Sequence, residues 1–428
     1  MLRRISITLV LALVAGLVFA GGGQEEMGDG PVTIQLGISP REVGAVIPVF
    51  IEGFESQNPG VTVEWLEVPG VPNEQKNLYV TNLIGMSPEP DVMALDIVWP
   101  GEFIANGWAL PLNDYFSSEE LDQFLPGMLN AVSSGGQVYG VPLYTNAIHL
   151  FYRADLLEKY DLDVPRTWSE LESAAQTILD GEQDPDLSGY ISMWAQIEGL
   201  FMNYLQFLWG AGGSFFDDNG NVTVDTPEGR QALEQMVGMI DRGIAPESIL
   251  TYRPNDAMAL FRQGRAAFMV VQDFVWPILN EDDSPVAGLV EMASVPAFDG
   301  NPDAPTHTMG GWILAVNPNS ENPEIAADLI RYMTNEENGI EMGVTTGSLP
   351  ARIGMDTNEE LLSAYPIAAQ LYQNFEAGDV RPSAETGARY SEVSNVIQTQ
   401  VHAALNGLAS VEDALATAQA EIESILSE

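Results

Sequence analysis

The chain contains no cysteine in 428 residues, only three histidines, and few basic residues. Each shortage removes a class of chemistry. Without cysteine there is no disulfide, no thiolate metal site and no cysteine nucleophile. The lipid-modified cysteine that would tether an exported chain to a membrane is missing too. His149, His307 and His402 are widely separated and form no His-x-x-x-His pair, so neither a zinc site nor any other metal is expected. No Gly-x-Ser-x-Gly elbow is present for a hydrolase nucleophile. Basic residues number 16 against 61 acidic ones, a formal charge of −45. Such a surface repels nucleic acid and anionic headgroups, so neither is expected as a partner. The acids are scattered along the chain, which fits a solvated surface better than an acidic tail.

Only the first stretch is long and apolar. Arg3 and Arg4 precede the run Ile5 to Phe19, and Val18 and Ala20 are small residues placed for cleavage, so residues 1–20 read as a signal peptide cut near Ala20. The run is about 15 residues, short of the roughly 20 that a spanning helix needs. Residues 21–30, opening with Gly21, Gly22 and Gly23, read as a flexible leader. An exported chain without a tether is expected in a periplasm. Loss of Arg3 and Arg4 leaves 14 basic against 61 acidic residues, a formal charge of −47. That density predicts self-repulsion, a fold stabilised by salt, and an ion-rich habitat.

About 400 mature residues exceed what one core usually serves, so two domains are expected. The pattern opens as strand Val32 to Ile38, loop Ser39 to Glu42, helix Gly44 to Ser56, strand Val61 to Val68, helix Glu74 to Gly85 and strand Asp91 to Ala94. Alternation of this kind signals a parallel α/β sheet, whose ligands sit at the carboxyl ends of strands. Here those ends are Ser39 to Glu42 and Leu95 to Trp99. A second α/β unit starts with strand Leu150 to Arg153 and helix Ala154 to Tyr160. Thr167 and Glu170 form a capping box for the next helix. Later come strand Thr306 to Val316, helix Pro323 to Thr334 and a C-terminal amphipathic helix, Val411 to Leu426.

Gly210, Gly212 and Gly213 fit no phosphate-binding fingerprint and read as a helix-end turn. Asp217-Asp218-Asn219-Gly220-Asn221 misplaces the glycine of a calcium loop and reads as a hairpin turn at Asn219-Gly220. Carboxylates are numerous enough that a secreted glycoside hydrolase using an acid pair stands as the alternative, although nothing marks two of them as matched. The remaining signal is aromatic. Trp99, Trp276 and Trp312 each lie near glycine, proline or a carboxylate, and indole faces beside acids suit sugar rings with their C–H faces and hydroxyls.

Several segments together resemble a known family. They are Phe54 to Val61, Asp91 to Trp99, Tyr139 to Pro142, Phe151 to Leu157 with Pro165 to Leu171, Phe261 to Met269, and Gly310-Gly311-Trp312. In this order and spacing the chain resembles the extracellular solute-binding proteins of the maltose and trehalose type, the receptors of ABC importers. The resemblance implies a two-lobed α/β periplasmic-binding-protein fold with hinge crossings and a helical C-terminal tail. It implies lobes 31–144 plus 308–346 and 145–307 plus 347–428, with a sugar bound between them and no cofactor. It implies that Asp96 and Glu198 accept hydrogen bonds from sugar hydroxyls, that Trp276 and Trp312 stack on the rings, and that Gly310 and Gly311 permit close backbone approach. Arg352 matches a family arginine that contacts ligand. Trp99, Glu42, Tyr144, Asn146 and Tyr390 complete the expected site. The implied partners are a small sugar and the membrane permease subunits of an importer, with the receptor a monomer and not an enzyme.

Overall fold

The computed structural model describes residues 32–70, 72–301 and 307–427. The expected signal peptide and leader lie outside them. Alternation in β1 (Val32–Ile38) turns Ile34, Leu36 and Ile38 into the core. Ser39 then caps a one-turn helix, α1 (Pro40–Val43), with its Oγ accepting the Arg41 amide at 3.2 Å. The segment 39–42 is therefore not the expected loop. Serine at the cap followed by proline at the first helical position is a helix-start pattern, and it prevails here. Next come α2 (Ile47–Gln57), which buries Phe50 and Phe54, then β2 (Val61–Glu67), α3 (Pro72–Ile84), β3 (Val92–Asp96) and α4 (Pro100–Ala105).

The middle of the chain begins with the long strand β4 (Val141–Arg153). Helix α5 (Trp168–Glu182) starts on the predicted capping box: Thr167 Oγ1 accepts the Glu170 amide at 3.3 Å, and Glu170 Oε2 accepts the Thr167 amide at 3.3 Å. Strand β5 (Ser188–Ser192), helix α6 (Glu198–Gly210), strand β6 (Ala266–Gln272), the short helix α7 (Val275–Leu279) and strand β7 (Val290–Ala293) follow. Gly212 and Gly213 close α6 as expected, and Asp217 and Asn221 pair across the Asn219-Gly220 turn.

Strand β8 (Thr308–Val316) is buried at every residue, the signature of a strand covered on both faces. After α8 (Pro323–Met333) come β9 (Leu349–Pro350), α9 (Ala368–Ala377), β10 (Asp379–Val380), α10 (Ser383–Thr386), α11 (Tyr390–Leu405) and α12 (Val411–Ser427). The helical C-terminal tail is thus present.

Among the described residues ten strands join one sheet in the order β2-β1-β3-β8-β4-β6-β5, with β9 and β7 also on β4 and β10 on β8. Strands β1, β2 and β3 run parallel, whereas β8 is antiparallel to both β3 and β4. Strand β4 is the common spine. Its first half, through Ala147, pairs with β8 and β9; its second half, from Ile148, pairs with β6 and β7. At about 3.3 Å per residue it runs roughly 40 Å. Two sheet halves thus meet at Ala147 and Ile148, with helices on each.

Candidate functional site

Strand β3 ends on Asp96, and the chain turns through Trp99 directly into α4, so a carboxylate and an indole stand together at the carboxyl end of a central strand. Across β8 the neighbours in register are Asp96, Trp312 and Tyr144. From the other sheet half comes Glu198, the first residue of α6. Facing it, Tyr390, Ser394 and Gln398 repeat every fourth residue of α11 and so share one face. Asp96, Trp99, Glu198, Tyr390, Ser394 and Gln398 line a cavity of about 560 Å³.

Arg381 joins the two carboxylates. Its Nη1 donates to Glu198 Oε1 at 3.0 Å and its Nη2 to Asp96 Oδ1 at 3.4 Å, and the side chain is 5% exposed. Its anchorage is on the β3 side. Strand β10, just before it, pairs with the start of β8, and Ser383 Oγ donates to the Ile97 carbonyl at 3.4 Å. The backbone after it lies flush on α4, so close that a Cβ on Gly101 would stand 2.4 Å from the Ser383 carbonyl oxygen and 3.0 Å from Gly387 Cα. Glu198 also accepts Tyr390 Oη, Ser394 Oγ at 2.5 Å and Gln398 Nε2 at 3.4 Å.

Burial raises the Asp96 carboxyl above its usual range, against the pull of Arg381. Burial acts to discharge Arg381, but Tyr390, Asp96 and Glu198 outweigh it and hold the guanidinium charged. The Tyr390 hydroxyl is raised by burial and by Glu198, so it stays a donor. Both carboxylates accept from one fixed cation, an arrangement suited to holding hydroxyl groups. Lys76 and Glu102 add a second balanced pair at 2.7 Å, with Lys76 on the cavity wall. Among the described residues no group of three or more His, Cys, Asp or Glu is placed to hold a metal.

A second cavity of about 320 Å³ lies on the β4 side, lined by Tyr144 and Asn146, by Asp273 and Phe274 at the head of α7, and by Arg41 and Ser348 among others. Of the expected site residues, then, Asp96, Trp99, Glu198 and Tyr390 line the larger cavity and Tyr144 and Asn146 the smaller. Trp312 is 9% exposed and packs edge-on against Trp99, ring centres 5.6 Å apart. Gly310 and Gly311 do permit close approach, but the partner is β4. A Cβ on Gly310 would meet Asn146 Oδ1 at 2.4 Å, and one on Gly311, whose φ is +145°, would meet the Tyr144 carbonyl oxygen at 2.4 Å.

Trp276 lies half-buried on α7 and lines neither cavity; Phe274 supplies the aromatic wall in its place. Arg352 lines neither cavity. Its Nη1 donates to the Thr334 carbonyl at 2.9 Å, another donor reaches Gln123 Oε1, and the guanidinium lies 5.0 Å over the Phe124 ring. These contacts tie the 349–352 segment to Gln123, Phe124 and Thr334. The side chain of Glu42 lies outside the described residues. Arg381, Asp273 and Phe274 were not singled out from sequence. The one available signal for Arg381 was scarcity, since an arginine in so acidic a chain is conspicuous.

Comparison with known proteins follows the same outline. A family model described as bacterial extracellular solute-binding protein matches residues 37–340. A probable ABC transporter-binding protein of Deinococcus radiodurans is 32% identical over 370 residues, covering 86% of this chain and 87% of that one. The solved structure of maltose-bound MalE3 of T. maritima is 35% identical with a TM-score of 0.81, covering 92% of this chain and 99% of that one. A cyclic α-maltosyl-1,6-maltose binding protein from Arthrobacter globiformis is 25% identical with a TM-score of 0.80, covering 93% of this chain and 99% of that one.

Proposed function

The chain belongs to the bacterial extracellular solute-binding proteins of ABC transporters, and from that premise we propose that it captures a disaccharide or short oligosaccharide in a periplasm. The family is one of non-enzymatic receptors, which sets aside the secreted glycoside hydrolase. The observation that carries the sugar reading is Arg381 holding one carboxylate from each sheet half beside Trp99. Fixed acceptors and donors around an indole match the hydroxyls and C–H faces of a pyranose. Two cavities, each large enough for ligand groups, favour more than one ring. Both named carbohydrates of the related structures above contain maltose units.

In this reading the lobes are 31–144 plus 308–346 and 145–307 plus 347–428, hinged where β4 passes from one sheet half to the other. Arg381 and α10, docked on α4, carry part of the last segment back against the first lobe. Sugar contacts both lobes only when they are closed, so it shifts that equilibrium by its differential affinity. The closed monomer is the form presented to permease subunits.

The test is a panel of maltose, longer maltooligosaccharides, D-mannitol and ribitol, read by melting temperature, calorimetry and chromatography of the recovered ligand. At least one sugar is expected to bind saturably and to be recovered unchanged. Asp96→Ala removes an acceptor worth roughly 1.5–3 kcal/mol and lowers affinity about tenfold or more. Release of a smaller sugar, or no binding anywhere in the panel, would defeat the proposal.

A further inference from the structure

Asp273 follows β6 directly, where the two sheet halves meet, and it lines the smaller cavity while remaining only 7% exposed. Resting on the sugar-capture reading, we propose that Asp273 enters the cleft as a neutral carboxylic acid and donates its proton to a ligand oxygen, making it a specificity-determining contact. The case begins with what surrounds it. Among the described residues no lysine or arginine lies within ion-pair distance of its carboxyl; the basic side chain that does is His149, with Nε2 at 3.6 Å from Oδ2. That distance exceeds a hydrogen bond. The Ala147 amide donates to Oδ2 at 3.3 Å.

His149 does not supply the missing charge. Asn374 Oδ1 accepts from Ser294 Oγ at 3.1 Å, which turns the Asn374 amide nitrogen toward His149 Nδ1 at 3.0 Å. Nδ1 is therefore an acceptor, the ring hydrogen sits on Nε2, and the imidazole is neutral. Its neighbour His307, with ring centres 5.3 Å apart, engages the Ile148 carbonyl at 3.1 Å through Nδ1. Burial pushes both imidazoles down to about 3. The other titratable groups that face Asp273 are Tyr365 and Tyr372, both held protonated by burial. Arg41, which also lines the cavity, gives Nη1 to the Gly70 carbonyl at 3.3 Å. An ionised carboxylate buried without a cation is costly. Burial accordingly raises the Asp273 carboxyl to about 8. A neutral acid carries one donor that an anion lacks, and a cleft wall with such a donor selects a ligand oxygen that can only accept, such as a ring or glycosidic oxygen.

The protein to test is the full secreted chain, with maltose first and the rest of the sugar panel after it. Wild-type affinity is expected to hold steady from pH 6.5 to about 8 and then to fall about tenfold per pH unit as the proton is lost. Asp273→Asn, which donates but cannot ionise, loses that dependence, and Asp273→Ala binds weakly at every pH. A ligand-free readout keeps the proposal exposed even if the alanine variant fails to fold. The infrared carbonyl band of a protonated carboxylic acid should appear in wild type minus Asp273→Asn at pH 6.5 and shift when sugar is added. The folded carboxyl titrates above its unfolded value, so it stabilises the fold at low pH and that contribution fades as pH rises toward about 8. The buried histidines titrate alike in wild type and Asp273→Asn, so a loss of wild-type stability relative to Asp273→Asn between pH 6.5 and 8 belongs to Asp273. A sugar that binds with no pH dependence, or without moving the carbonyl band, overturns the inference while leaving sugar capture intact. No binding by any sugar in the panel overturns both.

Discussion

Arg381 is the residue on which the larger cavity turns, because among the described residues it alone bonds both Asp96 and Glu198. Arg381→Met keeps most of the side-chain volume and removes the charge, leaving two carboxylates to face one another across the cleft. Removing one member of a buried charge group costs about 3–5 kcal/mol when the others cannot be resolvated. Here opening of the cleft can resolvate them, so the expected outcome is a sugar-free protein with a larger radius of gyration by X-ray scattering and at least tenfold weaker sugar binding. Wild-type scattering and affinity would show that the arginine serves the fold alone. Asp96 and Trp99 stood out because the strand end and the proline and glycine after Trp99 mark a cleft edge, whereas Glu198 was named only through the family resemblance. Arg381 was not, since its place depends on a chain return of 285 residues to Asp96. At the head of α7 the aromatic that lines the smaller cavity is Phe274, which the turn into α7 faces to it, and not Trp276 two residues on.

At the scale of elements, helix and strand identity followed the apolar period closely, and most of the differences are at ends. The one-turn helix α1 in place of a loop is one exception, and strand β4 is another. It was expected from Leu150 but starts at Val141, because Pro142 and Asn146 break the apolar pattern that reveals a strand. Pairing on both flanks overrides that local weakness. Pro142 sits where the β8 register shifts between Trp312 and Ile313, an irregularity that tolerates a residue with no donor. The contact of α10 with α4 makes a further prediction. Gly101→Ala forces a methyl into the Ser383 and Gly387 backbone, which cannot retreat as a side-chain tip can. Overpacking of this kind costs typically 1–3 kcal/mol, and it displaces the segment carrying Arg381. Melting should therefore fall and sugar binding weaken together. Gly300→Ala, with nothing among the described residues within 4 Å of its Cβ, is the control and should change stability by less than about 0.5 kcal/mol.

Across the whole molecule the shortage of cations seen in the sequence becomes a shortage of pairs. Arg262 serves both Glu281 and Asp283, Arg331 both Glu120 and Asp328, and Arg381 both Asp96 and Glu198. With 61 acids to 16 bases, most carboxylates have no such partner and repel one another through solvent. Sodium chloride raised from about 0.01 M to about 1 M shortens the screening length from roughly 30 Å to roughly 3 Å. The melting temperature of the sugar-free protein should then rise by several degrees, steeply at first, with potassium chloride equivalent and sucrose unable to reproduce the early part. A flat curve would mean that the acids are spaced widely enough to ignore one another.

The position of β8 has a consequence for the order in which this molecule can come into being. Strand β8 lies between β3 and β4, yet its residues, 308–316, come after every strand of the second sheet half. As the chain leaves the ribosome, β4, β5, β6 and β7 are all present once residue 293 has emerged, whereas β3 has no route to β4 until residue 316. The part made first is thus finished last. For most of its synthesis the N-terminal portion is held short of its middle strand, and the Arg381 bridge arrives later still, so the binding cleft cannot be assembled on a growing chain until nearly the whole of it exists.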